Sequence, residues 1–238
     1  MDYPMRSIAY LAELVYAPKQ YAPADLQRLH SLAFADEKAQ YQNFQLIPGG
    51  AAMSNPPAQA NMVSAVTFLP DRMQIREEMS GISREEFQER VARLSGLAFQ
   101  VLAIPQILVQ NFIVRSLVNA RNFYDSREFI SRSLLNMEEE DFACLARAPQ
   151  IVGVRMVFPQ TDDNRGMFNI RVESYAAEPR SLFIENVGVF KSMVNAGNVG
   201  DLTSNFFATY DYIDGNVIDF ISQFDAREET PPPPPPSP

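Results

Sequence analysis

The chain has 238 residues, 46% of them hydrophobic, with 17 Phe and 9 Tyr, enough apolar volume for a core and too much for disorder over most of its length. Its 29 acidic and 20 basic side chains leave a net charge of −9, and Lys occurs only at Lys19, Lys38 and Lys191. The counterion release that drives binding to nucleic acid or to an anionic membrane therefore has no basic run to start from.

Cys144 is the single cysteine, so no intramolecular disulfide forms, a usage that fits a reducing, cytoplasmic compartment. Residues 1–6 mix one acid, one base and a proline, and Glu13 interrupts the apolar stretch that follows, unlike a signal peptide. Residues 8–16 predict a strand. Residues 24–34 carry Leu26, Leu29 and Ala33 at helical spacing, with His30 at the border of that stripe. Residues 41–47 alternate aromatic and polar side chains, as a half-buried strand does. From Pro48-Gly49-Gly50 through Asn55-Pro56-Pro57 the composition predicts a long loop, 48–61. Residues 63–69 and 73–78 then form a hairpin around Pro70-Asp71-Arg72.

The best-marked helix begins after Ser83. Ser83 and Glu86 make an S-x-x-E capping box, Ile82 and Phe87 occupy the positions of a hydrophobic staple, and Phe87, Val91, Leu94, Ala98, Val101 and Leu102 continue the apolar face to Pro105. Residues 94–114 carry no charge over the length of a membrane span. Ser95, Gln100, Gln106, Gln110, Asn111 and the central Pro105 instead make this stretch a helix, a proline break and a strand, with no membrane insertion. Residues 107–118, rich in β-branched side chains, predict a central strand.

Asp125 and Glu128 repeat the capping pattern ahead of Phe129, Ile130 and Leu134. Residues 151–158 and 167–175 form a hairpin across the polar segment 159–166, and 180–190 form a strand around Gly188. Leu202, Phe206, Tyr210, Ile213, Val217, Ile221 and Phe224 keep helical spacing over one long helix, which Gly215 weakens by about 1 kcal/mol. After Phe224 comes Asp225, and 226–238 form a proline tail with six consecutive prolines, expected to protrude as a spacer; deletion from Asp225 onward is expected to leave stability unchanged. The whole predicts an α+β fold: mainly antiparallel sheet with amphipathic helices packed on its faces, a globular domain over 1–225 with two similar halves at about 1–123 and 124–225.

The step Arg115-Ser116-Leu117-Val118-Asn119 at the end of the central strand resembles one found in a sporadically distributed family of uncharacterised prokaryotic proteins. Members run to about 250 residues, a size that fits one large domain. The hairpin over 66–78, the helix from Arg84, the strand over 182–190 and the closing helix to Phe224 follow the same order. The similarity spans nearly the whole chain except the tail. Members often carry an aspartate where this chain has Glu185-Asn186. The resemblance implies the fold and no established activity; its scattered distribution associates such proteins with mobile-element or defence genes.

Chemistry is sparse. His30 alone cannot build a two-histidine metal site, and with Cys144 it gives at most two soft ligands far apart in sequence, so no metal or cofactor is expected. No G-x-S-x-G elbow, P-loop or G-x-G-x-x-G occurs, and no catalytic residue is assigned. Cys144 reads as a buried, inert thiol. The acidic run Glu138–Asp141 reads as a solvated face. Charges inside strands stand out: Arg115, Arg155, Arg171 and Glu173 fall where a sheet face is solvated or lines a groove, and Glu77, Glu173 and Glu185 lie on strands that can bring them together. Arg115, between Ile113-Val114 and Leu117-Val118, reads as a buried guanidinium that needs a partner. The binding candidates are Arg115, Asn119, Glu173 and Glu185.

Three functions compete. The first is a non-catalytic binding protein with a protein partner, one component of a larger system. The second is an enzyme acting on an anionic small molecule or nucleotide through carboxylates with Arg115 and Asn119. The third is a homo-oligomeric structural subunit.

Overall fold

The computed structural model describes residues 3–225, except for the side chain of Glu139. The proline tail assigned to 226–238 lies outside the described residues. Strand β1 (Arg6–Tyr16) leads to helix α1 (Pro23–Ala35), four strands β2 (Asn43–Ile47), β3 (Gly50–Ser54), β4 (Val63–Leu69) and β5 (Arg72–Glu78), and helix α2 (Arg84–Val101). Strand β6 (Ile107–Asn119) opens the second series. It continues through a short helix α3 (Ser126–Glu128), a π turn (Phe129–Leu134) and a 3-10 turn (Glu139–Leu145) to β7 (Gly153–Phe158), β8 (Gly166–Ser174) and β9 (Ser181–Phe190). Helix α4 (Gly200–Tyr212), a π turn (Ile213–Val217) and α5 (Ile218–Asp225) close it.

Helix α2 starts as its sequence dictates. The Ser83 N–H donates to Glu86 Oε2 at 2.8 Å, and the Glu86 N–H donates to Ser83 Oγ at 3.1 Å, so two N–H groups of the first turn are satisfied reciprocally. Three sequence readings need correction. The loop expected over 48–61 contains β3, whose Gly-Ala-Ala-Met-Ser sequence has no β-branched residue and owes its conformation to pairing with β2 and β4 on either side. The closing helix is not continuous, because Gly215 falls in a π turn where an extra residue resets the apolar stripe. The capping signal at Asp125 yields only three α-helical residues before the chain widens into the π turn.

Among the described residues the nine strands form one antiparallel sheet in the order β2-β3-β4-β5-β1-β6-β9-β8-β7. The plan is duplicated. β1 and β6 lie side by side at the centre, β5 flanks β1 as β9 flanks β6, and each series ends in a helix. The repeat therefore divides between α2 and β6, not at residue 123. The sequence hides this because β6 follows α2 like the end of the first series, and only its pairing with β1 shows it to be the start of the second.

Strand alternation separates the two sheet faces cleanly. One row runs Ser64, Glu77, Tyr10, Val114, Asn186 and Ile170 across β4, β5, β1, β6, β9 and β8; all six are buried. The helices cover this face. Tyr10 packs at 5.3 Å from Phe87 of α2 and 5.6 Å from Phe206 of α4, and Phe87 and Phe206 lie 5.1 Å apart, an aromatic centre shared by both halves. Helix α4 approaches the sheet so closely that a Cβ on Gly188 would lie 2.2 Å from Thr209 Oγ1, so a side chain there would force Thr209 or its helix to shift. No described helix is long and apolar enough to cross a membrane; the uncharged stretch divides into α2 and β6 across Pro105, as its amides and proline predict.

Candidate functional site on the open sheet face

The opposite face of the sheet carries the side chains that alternate with the buried rows, and the described helices pack on the other side. At its centre Leu11 of β1 lies opposite Ile113 of β6, both half-buried. Two residues further along each strand stand Glu13 and Arg115, on opposite sides of this apolar pair. Each anchors a polar hub.

Glu13 Oε2 accepts from Arg72 at 3.1 Å and from Gln74 at 2.7 Å, and Oε1 accepts from Asn111 at 3.0 Å. Burial pushes the Glu13 carboxyl up, and the donors from Gln74, Arg72 and Asn111 outweigh it and hold the group below the usual carboxylate range. Arg72 also pairs with Asp71 at 2.8 Å, and those hydrogen bonds raise its already high pKa.

The second hub is a row across four neighbouring strands: Arg115 of β6, Glu185 of β9, Arg171 of β8 and Arg155 of β7, each directly opposite the next. Arg115 Nε donates to Glu185 Oε2 at 2.7 Å, and Arg171 reaches Glu185 Oε1 at 3.2 Å, so one carboxylate serves two guanidiniums. Glu173 stands one position off, 3.8 Å from Arg171. Arg171 also lies over the Phe183 ring at 5.1 Å, and its Nε is buried without a hydrogen-bond partner among the described residues. Arg155 faces Arg171 across the β7–β8 pair and donates to Asn169 at 2.9 Å. Like charges directly opposite on a sheet repel. This row holds three arginines and one glutamate in a chain with a large acidic excess.

Three of the sequence candidates thus meet here: Arg115, Glu173 and Glu185. The fourth does not. Asn119 lies at the exposed end of β6, where its Oδ1 accepts from Ser181 Oγ at 2.8 Å. Arg115 itself needs correction. Its strand is central, but the side chain points to the open face and is 31% exposed, so the apolar neighbours that made it look buried belong partly to the other face. Glu77 does not join Glu173 and Glu185 either. It faces the helices, paired with Arg90 and accepting from Ser64 Oγ at 3.0 Å and Tyr41 Oη at 3.3 Å. Cys144, expected buried, is exposed. His30 Nε2 lies 3.1 Å from the Tyr41 carbonyl oxygen and the ring stacks on Phe44, a tether between α1 and β2.

The Glu13 hub was missed by sequence reasoning. The signal was present as an acid inside an apolar strand, but its partners come from β5 and β6 and are invisible without the register. A concavity of about 800 Å³ lies elsewhere, among α3, its π turn and the segment before β7. Its Arg127 pairs with Asp125 at 2.7 Å and its Arg132 with Glu128 at 2.6 Å, so most of its charge is spent internally, and none of the four candidates lines it. No group of three or more His, Cys, Asp or Glu among the described residues is arranged to hold a metal ion. No protein-family model matches this chain, and no curated protein matches it either.

Proposed function

We infer that this chain is a non-catalytic binding protein, one component of a larger system, and that its open sheet face receives a protein partner. The observation that carries the reading is the one-sided sheet: nine strands covered by helices on one face and offering Leu11, Ile113 and Val187 in one cross-strand row on the other, flanked by matched ion pairs. Nine strands at about 4.8 Å spacing span roughly 40 Å, and strands of ordinary length give a face of the order of 800 Å², the area a stable interface uses on each partner. An apolar centre with a polar rim is the anatomy of a protein contact. A polynucleotide is a poor fit, because most of the arginines on this face are already committed to glutamates.

An enzyme working through Arg115 and Asn119 fits less well, since those side chains serve different partners, Glu185 and Ser181. The test places a photo-crosslinking residue at Val187 and, as a control, on the outer surface of α2. The protein captured only through Val187 is then purified and titrated against the full chain. Expected is saturable binding that weakens at least tenfold with Leu11→Glu or Ile113→Glu in folded protein. Binding indifferent to both substitutions overturns the reading.

A further inference from the structure

We propose that the outer edge of β7 receives an extended segment of the partner protein as a tenth strand, with acidic side chains on the open face alternating with apolar ones on the helix face. The proposal rests on the binding-protein reading and names the chemistry of its partner.

The duplicated plan points to this edge. Outward from β1 the sheet continues through β5, β4, β3 and β2, whereas outward from β6 it continues through β9, β8 and β7 only. The first half has one strand more, and the counterpart of β2 would lie beside β7. β2 covers β3, where Gly50, Ala51 and Met53 are buried; β7 exposes Gly153, Arg155, Val157 and Phe158. Among the described residues the backbone of β7 hydrogen-bonds to β8 alone, so its outer N–H and C=O groups form a ready template. Natural edges are usually blunted by proline, lysine or a bulge. The run Val154-Arg155-Met156-Val157-Phe158 contains no proline or lysine and pairs with β8 without a register shift.

Side-chain chemistry sets the pattern of the added strand. On the helix face Val154 and Met156 pack against the core but remain part-exposed, and Phe158 lies 5.5 Å from Tyr212 while 37% exposed, so an added strand buries apolar surface there. On the open face Arg155 stands opposite Arg171 and, among the described residues, its side chain bonds only to an amide. An acidic residue on the next strand would sit directly beside Arg155 and end the repulsion. Strand addition of this kind takes affinity from main-chain hydrogen bonds and specificity from alternate side chains.

The same charge disfavours a second copy as the occupant. An antiparallel β7–β7 pairing that keeps the faces aligned puts the second copy's Arg155 on the same side, opposite the first in the symmetric register, and supplies no acidic side chain from β7 to meet it. The chain's own Pro231–Pro236 run has no N–H groups to offer a ladder.

The test uses the full chain and a fluorescein-labelled eight-residue peptide alternating valine and glutamate, followed by fluorescence anisotropy. Expected are saturable binding, slowed hydrogen exchange of the β7 amides, at least tenfold weaker binding by Arg155→Glu, and unchanged binding by Arg76→Ala, on the far half of the same face. A peptide with lysine for glutamate, and one N-methylated at alternate residues, are expected not to bind. Equal binding of the N-methylated peptide, or indifference to Arg155→Glu, overturns the tenth strand, as does no binding at millimolar peptide. A partner that is sensitive to Ile113→Glu but insensitive to Arg155→Glu, and that leaves β7 exchange unchanged, also overturns it while the binding-protein reading stands. Failure of the partner titration at Leu11 and Ile113 is a separate result and sinks that reading instead.

Discussion

Tyr3 near the start of the chain donates its hydroxyl to Asp225 Oδ2, at the end of α5, at 2.7 Å. The same carboxylate accepts from the backbone N–H groups of Arg121 at 2.7 Å and Asn122 at 3.1 Å, and Asn122 Nδ2 donates to the Asp225 carbonyl at 2.7 Å. Asp225 is fully buried. It ties the N-terminal segment and the last helix to the turn that follows β6.

That contact reverses an expectation drawn from composition. Asp225 precedes the proline tail in a polar run and looks dispensable, yet truncating its side chain removes the acceptor of three buried or part-buried hydrogen bonds. At about 1 kcal/mol for each hydrogen bond lost, Asp225→Ala costs about 3 kcal/mol. Asp225→Asn, which keeps one acceptor, costs less. Urea denaturation of the two variants beside the parent checks the order, and deletion of 225–238 is expected to destabilise rather than be silent.

Glu77 and Arg90 form the second buried commitment. The carboxylate is 1% exposed on the helix face of β5, paired with Arg90 of α2, whose guanidinium also lies over the Tyr41 ring at 5.4 Å. Desolvation, with Glu77 adding to it, pushes the Tyr41 hydroxyl far above its usual range, so Tyr41 stays a neutral donor. Arg90→Met leaves a buried, uncompensated carboxylate and is expected to cost about 3 to 5 kcal/mol, whereas Arg90→Met with Glu77→Met recovers much of the loss. A double-mutant cycle by chemical denaturation measures this, with strong coupling as the expected outcome.

Arg115 makes the opposite case. Its apolar neighbours predict a buried guanidinium whose loss destabilises the fold, but it is part-exposed, and Glu185 keeps Arg171 when it goes. Arg115→Ala is therefore expected to cost about 1 kcal/mol or less, in the range of exposed ion pairs. A melting temperature within a few degrees of the parent agrees with that; a collapse would mean the row is a structural keystone.

These residues show what one sequence discloses. Local signals were legible: the Ser83–Glu86 box, the Pro70-Asp71-Arg72 turn and the Pro105 break act over a few residues and appear where expected. The charged strand positions Arg155, Arg171 and Glu173 were also visible, because alternation alone places them on a solvated face, whereas the apolar neighbours of Arg115 masked its exposure. Hidden was everything set by pairing. β3 has no strand propensity of its own. The placement of β6 beside β1 fixes the duplication, the registers of β6, β9, β8 and β7 fix the row joining Arg115 to Arg155, and no spacing encodes either. Asn119 was drawn into the site by its place in a motif, while its side chain serves the end of β9.

The Glu13 hub gives a pH dependence with a definite sign. Its carboxyl titrates below the usual range in the folded chain, because the donors from Gln74, Arg72 and Asn111 outweigh the burial that pushes it up. A group with a lowered folded pKa contributes stability that is fully present above its unfolded value, about 4.3 for glutamate, and lost as pH falls through the folded value. Glu13→Gln is therefore expected to be less stable than the parent at pH 7, with the difference shrinking as pH falls below about 4. Gln74 Nε2 keeps an acceptor in the variant, so the loss reflects charge more than an orphaned donor. Denaturation midpoints for both proteins from pH 7 to pH 3 check the sign: curves that converge toward acid support a native-state carboxylate hub, and curves that stay parallel mean Glu13 titrates alike in folded and unfolded chains.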